Sequence, residues 1–129
     1  MKCKKETVIL SASERTVMEL LWDKNPQTVT ELFHTLRENP GWSKSTVNTM
    51  LSRMTEKGLI SYEQGERAKL YVPEVDRKSA DMAETESLLE RIYQGSVSMM
   101  MSALMRQKKL DSAEIEELKS MLDKMEGGR

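Results

Sequence analysis

Residues 42–59, WSKSTVNTMLSRMTEKGL, present two unlike sides when they are placed on a helix. Apolar residues recur at intervals of three and four, which lines one side of a 3.6-residue helix and predicts that this side is buried. Ser43 is a candidate N-cap and Gly58 a candidate C′ residue, so the sequence indicates both ends of the helix. The apolar positions are Val47, Met50, Leu51 and Met54.

The opposite side of the same helix carries short, uncharged side chains that can donate or accept hydrogen bonds. An ordinary solvated face usually carries Lys and Glu, which are better helix formers. Two interpretations therefore stand: a plain polar surface, or a surface that reads the edges of DNA bases. Lys44 and Arg53 flank these side chains, which are Ser45, Asn48, Thr49 and Ser52.

Two capping boxes precede this segment. Ser11 and Glu14 predict a first helix that runs to about Asp23, and Thr28 with Glu31 predicts a second helix over residues 29–37. Residues 38–41, ENPG, interrupt the helical pattern before the third helix. Two short helices joined by a tight break form a helix-turn-helix, a pattern that many small helical bundles share.

The residues after the third helix predict a β-hairpin. Residues 59–63 and 69–72 alternate in the manner of strands, and residues 64–67 supply a turn. Three helices followed by a hairpin make a winged helix, whose wing here carries Arg67 and Lys69. Those two cations could reach phosphates beside a groove that holds the third helix. We therefore expect residues 1–75 to form a winged-helix DNA-binding domain.

Residues 76–129 predict three further helices, at about 78–94, 96–108 and 111–125, the last with Asp111 as its N-cap. Met82 begins the apolar stripe of the first of these. Such short amphipathic helices cannot bury so much apolar surface alone, so we expect a helical dimerisation domain that meets a second copy. The overall fold class is mainly α with a small β-hairpin. The dimerisation residues are Leu89, Ile92, Tyr93, Val97, Met100, Met101, Leu104, Met105, Ile115, Leu118, Leu122 and Met125.

The composition narrows the classes of function that this chain can have but does not identify one. The net charge is −1, with 11 basic against 10 acidic residues in 1–75 and 9 against 11 in 76–129, so phosphate binding would need a local basic surface. The chain has no membrane-length apolar stretch, and no apolar signal segment follows its N-terminal KCKK, so we expect a cytoplasmic protein. The single cysteine, Cys3, excludes an intramolecular disulfide.

No catalytic constellation is visible. His34 is the only histidine and has no accompanying Gly-rich phosphate loop, Cys cluster or acidic pair with a nucleophile. Eleven methionines could suggest soft-metal binding, but most lie on apolar stripes at helical spacing, which favours packing. We therefore expect neither an enzyme nor a cofactor or metal. The competing class is a winged-helix module that binds a partner protein.

In the DNA interpretation, the third helix enters the major groove. Asn48 could pair with adenine, while Ser45 and Thr49 could hydrogen-bond base edges or touch a thymine methyl group. Lys44 and Arg53 are then phosphate contacts. Thr28 is a further phosphate candidate at the start of the second helix, although its role as an N-cap suffices to explain it.

The chain resembles the penicillinase repressor family of winged-helix repressors (BlaI, MecI and CopY-like proteins) along nearly its whole length. The similar segments are SASERTVMELLWDK, VTELFHTLRE, WSKSTVNTMLSRMTEKGLI, KLYVPEV, LLERIYQGS and DSAEIEELKSML. The resemblance implies a homodimer that binds palindromic operator DNA. Thr46, Thr49 and Arg53 match the family pattern T-x-x-T-x-x-x-R, whereas Ser45 and Asn48 stand where penicillinase repressors carry basic residues. The predicted DNA-contact set is Thr28, Ser43, Lys44, Ser45, Thr46, Asn48, Thr49, Ser52, Arg53, Arg67 and Lys69.

The resemblance also implies how repression is relieved. In the penicillinase branch, a membrane sensor of β-lactams triggers a cut in the dimerisation region, and the matching bond here is Ala103–Leu104, whose chemistry differs from the family's pair. A plain interface role for both residues is the alternative. The copper-responsive branch is less similar, because its cysteine-rich C-terminal motif is absent. Control of β-lactam resistance genes is thus one expectation, and a different signal, such as a metal, is the other.

Overall fold

The computed structural model of the protein describes residues 9–107 and 109–127; Cys3 and Lys108 lie outside them. The chain divides into two compact units, one that ends at Thr85 and one that begins at Glu86. The elements, in chain order, are α1 (Ala12–Asp23), α2 (Val29–Glu38), α3 (Lys44–Lys57), β1 (Ile60–Gln64), β2 (Lys69–Pro73), α4 (Arg77–Tyr93), α5 (Val97–Gln107) and α6 (Ser112–Gly127).

Both predicted capping boxes are confirmed. Ser11 Oγ accepts a hydrogen bond from the Glu14 amide at 3.1 Å, and the Glu14 carboxylate accepts one from the Ser11 amide at 2.9 Å. Thr28 and Glu31 repeat this arrangement at 3.2 and 2.9 Å. Each box satisfies two amide groups that the start of a helix leaves without partners, which explains why α1 and α2 begin where the sequence predicts.

The ends of α3 are also as predicted. Ser43 Oγ accepts a hydrogen bond from the Thr46 amide at 3.1 Å, and Gly58 adopts a left-handed conformation with φ of +82° after the last helical residue, Lys57. A glycine adopts this conformation without the steric cost that a Cβ would add. The chain then reverses, and the Leu59 amide donates to the Met54 carbonyl oxygen at 3.0 Å.

The apolar side of α3 lies in the core of the first unit. Val47, Leu51 and Met54 are buried, and Met50 is half-buried against the same cluster. This burial fixes the rotation of α3 about its own axis, so its polar side faces away from the core. The core residues from the other elements are Leu10, Val17, Met18, Leu21, Leu32, Leu36, Leu59, Ile60, Tyr71, Val75 and Ala80.

The wing is an antiparallel pair in which Tyr62 faces Tyr71. A contact that the sequence did not predict extends it: Gln27 forms an isolated antiparallel bridge with Tyr71, through two hydrogen bonds of 3.1 and 2.8 Å. The Gln27 side-chain amide also donates to the Leu20 and Lys24 carbonyl oxygens. The wing is therefore joined to the segment between α1 and α2 as well as to α3.

The second unit contains the rest of α4 with α5 and α6. Asp111 caps α6 as predicted, because its carboxylate accepts a hydrogen bond from the Glu114 amide at 2.8 Å. No residue of α5 or α6 is buried within the described chain. In α4, the predicted stripe residue Met82 is 56% exposed, and Ala80 and Ala83 are buried instead. None of the helices in the described residues is long and apolar enough to span a membrane.

One ion pair fastens the last turn of α3 to the first turn of α1. The ammonium group of Lys57 donates to the buried carboxylate of Glu14, the same group that closes the α1 capping box. Burial raises the pKa of Glu14, but the hydrogen bonds from Lys57 and Ser11 and the charge of Lys57 outweigh it, so the pKa lies below its ordinary value of 4.5. Glu14 is therefore ionised at neutral pH.

We expect Glu14→Gln to destabilise the protein at pH 7, because the Lys57 ammonium group then loses its charged partner. The folded-state pKa of Glu14 is depressed, so its stabilising effect is present above pH 4.5 and is lost as the pH falls through the folded-state pKa. The difference in the free energy of unfolding between wild type and variant should shrink in acid. Urea denaturation at neutral and acid pH measures it, with Glu56→Gln, which changes an exposed carboxylate on α3, as the control. A pH-independent difference would contradict this origin.

Candidate nucleic-acid interface

The polar face of α3 is exposed to solvent. We define it as Ser45, Asn48, Thr49 and Ser52, which recur at helical spacing opposite the buried residues. Within the described part of the chain, none of these four side chains takes part in a hydrogen bond or an ion pair. Their hydroxyl and amide groups are therefore available to another molecule, and one amide with three hydroxyl groups beside it suits the mixed donors and acceptors of a base edge.

The N-terminus of α3 lies beside this face. Ser43 Oγ caps the helix and also donates to Thr46 Oγ1 at 3.1 Å, so both predicted contact residues already have a structural role. Thr46 is exposed, and its hydroxyl can still donate outward. The first amide groups of a helix carry partial positive charge, which favours a phosphate at this end.

Two exposed cations flank the polar face. Lys44 in the first turn of α3 and Arg53 in its third are exposed, and neither forms an ion pair among the described residues. Lys57, on the same helix, is instead held by Glu14. The structure thus separates α3 cations that can meet a phosphate from one that stabilises the fold.

The wing presents its cations in two ways. Arg67 lies in the turn, which is closed by a hydrogen bond from the Gly65 amide to the Ala68 carbonyl oxygen at 2.8 Å. A Cβ on Gly65 would come within 2.8 Å of that same oxygen, so the turn needs glycine there. The ammonium nitrogen of Lys69 lies 4.4 Å from the centre of the Tyr62 ring. Tyr62 is exposed, and the sequence did not indicate it as part of the site.

Thr28 is half-buried and its hydroxyl caps α2, so its side chain is already engaged. His34 is exposed on α2. Across residues 9–107 and 109–127, no group of three or more His, Cys, Asp or Glu side chains is placed to hold a metal ion. The features that converge are therefore the polar face of α3, its flanking cations and its N-terminus, with the wing on the same unit.

The arrangement has the parts that a DNA-reading surface needs. An exposed helix, fixed in rotation by its buried side, offers hydrogen-bonding side chains at the spacing of one helical face, and cations flank it. Base edges carry the sequence information and phosphates set position, so the two kinds of side chain serve different purposes.

Comparison with known proteins agrees with this arrangement. The family model described as "Penicillinase repressor" matches residues 10–124. The penicillinase repressor of Bacillus licheniformis is 28% identical over 114 residues, covering 88% of this chain and 89% of that protein. The methicillin resistance regulatory protein MecI of Staphylococcus aureus (strain N315) is 23% identical over 119 residues, covering 92% and 97%.

Solved structures extend the comparison to the first unit. The monomeric form of Bacillus licheniformis BlaI, in complex with the blaP half-operator, is similar with a TM-score of 0.51 at 27% identity, over 57% of this chain and 89% of that one. The DNA-binding domain of the repressor BlaI gives a TM-score of 0.50 at 28% identity, over 54% and 85%. These matches confirm the winged-helix fold, and the family match covers both units. The chain belongs to the penicillinase repressor family.

Proposed function

We propose that this protein represses transcription by binding palindromic operator DNA as a homodimer. As a member of its family, the chain is a DNA-binding transcriptional repressor. The observation that carries the proposal for this chain is the exposed polar face of α3, whose four side chains have no partner within the described residues and which is flanked by the unpaired cations Lys44 and Arg53.

The predicted contact residues divide into two groups by chemistry. Ser45, Asn48 and Thr49 on the polar face would contact base edges in the major groove, and Asn48 can make two hydrogen bonds to adenine. Lys44, Arg53 and Arg67 would contact phosphates, which fix register and supply affinity that falls with salt. The resemblance places Ser45 and Asn48 where penicillinase repressors carry basic residues, which implies fewer charged contacts here and a different preferred operator.

The second unit supports association with a second copy. Its helices expose large apolar side chains, including Leu122 at 64% and Met125 at 75%, and a lone chain in water would leave this surface hydrated. An apolar cleft of about 700 Å³ lies between α5 and α6, lined in part by Met105, Ile115 and Leu122. Leu88, Met99 and Met121 are also exposed, and the sequence pattern had not singled them out. We propose residues 76–129 as the dimerisation domain.

Dimerisation would make two weak half-site contacts act together. Linking two modules turns the second contact into an intramolecular event and raises overall affinity without a new contact. Two-fold symmetry then places two copies of α3 on half-sites related by whole helical turns. Release of DNA therefore follows whenever association is weakened, whatever the signal is.

For relief of repression we propose a cut at Ala103–Leu104, within α5. Half of the Leu104 surface is exposed, and α5 is an 11-residue helix with no buried residue. A protease needs an extended segment, and so short a helix with little packing opens easily. The sensor would be a membrane protein of the kind that answers β-lactams in the penicillinase branch.

We expect Asn48→Ala to weaken operator binding by about 1–3 kcal/mol, which is roughly 5- to 160-fold, and to relax base preference at one position in each half-site. Titration of an operator mapped by footprinting upstream of the coding region measures both effects. Ser120→Ala, a polar truncation outside the winged helix, is the control. Unchanged affinity and base preference in the variant would mean that α3 does not read DNA. Wild-type affinity for DNA that does not fall as the salt concentration rises would favour a protein partner instead.

We expect Leu122→Lys to convert the dimer to a monomer, because it places a charge in an apolar interface. Sedimentation should show half the wild-type mass, and affinity for the full palindrome should fall about 100-fold or more, as expected when linked binding is lost. Ser120→Lys, the same change on the opposite side of α6, should leave mass and affinity intact. A Leu122→Lys variant that remains dimeric would place the interface elsewhere.

We expect intact-mass measurement of the repressor from cells exposed to a β-lactam to reveal a product that ends at Ala103. Operator binding should be lost as this product accumulates, because the cut removes residues 104–129, about half of the proposed dimerisation domain. Unexposed cells supply the control. An intact chain in cells where repression has been relieved would rule out this cut and point to another signal.

A further inference from the structure

Charged and aromatic side chains attach the first two turns of α4 to α1, an arrangement that the sequence patterns did not predict. Arg15 pairs with Asp81, and Arg77 Nη1 pairs with Glu19 Oε1 at 3.0 Å. The guanidinium carbons of both arginines lie over the Trp22 ring, 5.4 and 5.1 Å from its centre. We name these five residues the α1–α4 clamp.

Further contacts hold the same segment. The Trp22 indole N–H donates to the Val75 carbonyl oxygen at 2.8 Å, just before α4 begins. Ala80 and Ala83, in the first turns of α4, are buried. Their small side chains permit the α4 backbone to approach the core closely. The hydrogen bond with Asp81 raises the pKa of Arg15, so the Arg15 guanidinium stays charged. The start of α4 is thereby part of the winged-helix unit.

The clamp acts on the segment that leads to the dimerisation helices. Residues 77–85 of α4 belong to the first unit, and α4 continues as one helix to Tyr93 before Gly95 adopts a φ of +83°. The chain therefore passes from residue 85 to residue 86 within one continuous helix. Linker stiffness decides how strongly two joined modules prefer one spacing of their targets.

We propose that Arg15, Glu19, Trp22, Arg77 and Asp81 are positioning residues that restrict which half-site spacing the dimer accepts. The proposal rests on the proposed function as a dimeric operator-binding repressor. The clamp residues act through α4 and need no contact with DNA. Loosening the clamp lets the start of α4 move on α1, which lowers the effective concentration of the second winged helix at the correct spacing and raises it at incorrect ones.

Asp81→Lys is the central variant, because it puts a cation opposite Arg15 at a half-exposed position and leaves the core unchanged. Three DNA duplexes are titrated: the footprinted palindrome, the same palindrome with half a helical turn inserted between its half-sites, and a duplex with one half-site. Wild type should lose about tenfold or more in affinity on insertion, and the variant about threefold or less. Single half-site affinity should be equal in the two proteins.

Two further variants make the result specific. Lys78→Ala, which removes a charge from the neighbouring exposed position on α4, should behave as wild type. Arg15→Glu combined with Asp81→Arg restores opposite charges between α1 and α4 but removes the contacts of Arg15 with Trp22 and Glu19, so it should recover part of the discrimination between spacings. An Asp81→Lys variant with the wild-type spacing profile, or with an equal loss on the single half-site, would overturn the inference. Wild type that binds neither palindrome nor half-site would overturn the proposed function itself.

Discussion

Burial of one side of α3 is the constraint on which the rest of the first unit depends. Val47, Leu51 and Met54 occupy the centre of the core, and a helix with three fully buried side chains on one face cannot rotate without exposing them. The opposite face is thereby directed outward, where Asn48 and its neighbours are exposed and form no side-chain hydrogen bond or ion pair within the described chain. The same packing that stabilises the domain therefore aims the surface that would read DNA.

Charge in this protein is used locally, which explains how a chain with a net charge of −1 can bind a polyanion. Some cations serve the fold: Lys57 satisfies a buried carboxylate, and Arg15 and Arg77 hold α4. Lys44 and Arg53 have no acidic partner within the described residues and remain available. A count of charges along the sequence cannot separate these groups, because the difference lies in tertiary contacts.

Local signals made much of the fold predictable from the sequence. Capping residues act within four positions of themselves, so Ser11, Thr28 and Ser43 indicated where three helices begin. The polar face of α3 was also predictable from local sequence, because residues three and four positions apart lie on the same side of a helix. The Glu14–Lys57 pair, the Gln27–Tyr71 bridge and the α1–α4 clamp join residues more than 40 positions apart, and no periodic pattern encodes such pairs.

The start of α4 shows how this limit affects a functional interpretation. Its sequence predicts one amphipathic helix, with Met82 as a large apolar residue on the buried stripe. In the structure, Ala80 and Ala83 are buried and Met82 is exposed. Small side chains fit where two elements pack closely, and the clamp residues hold α4 close to α1. A helix assigned to dimerisation by its composition thus has its first turns in the reading unit. In the proposed dimer, the helix that leads from the DNA-reading unit to the association helices would therefore have its first turns packed on α1.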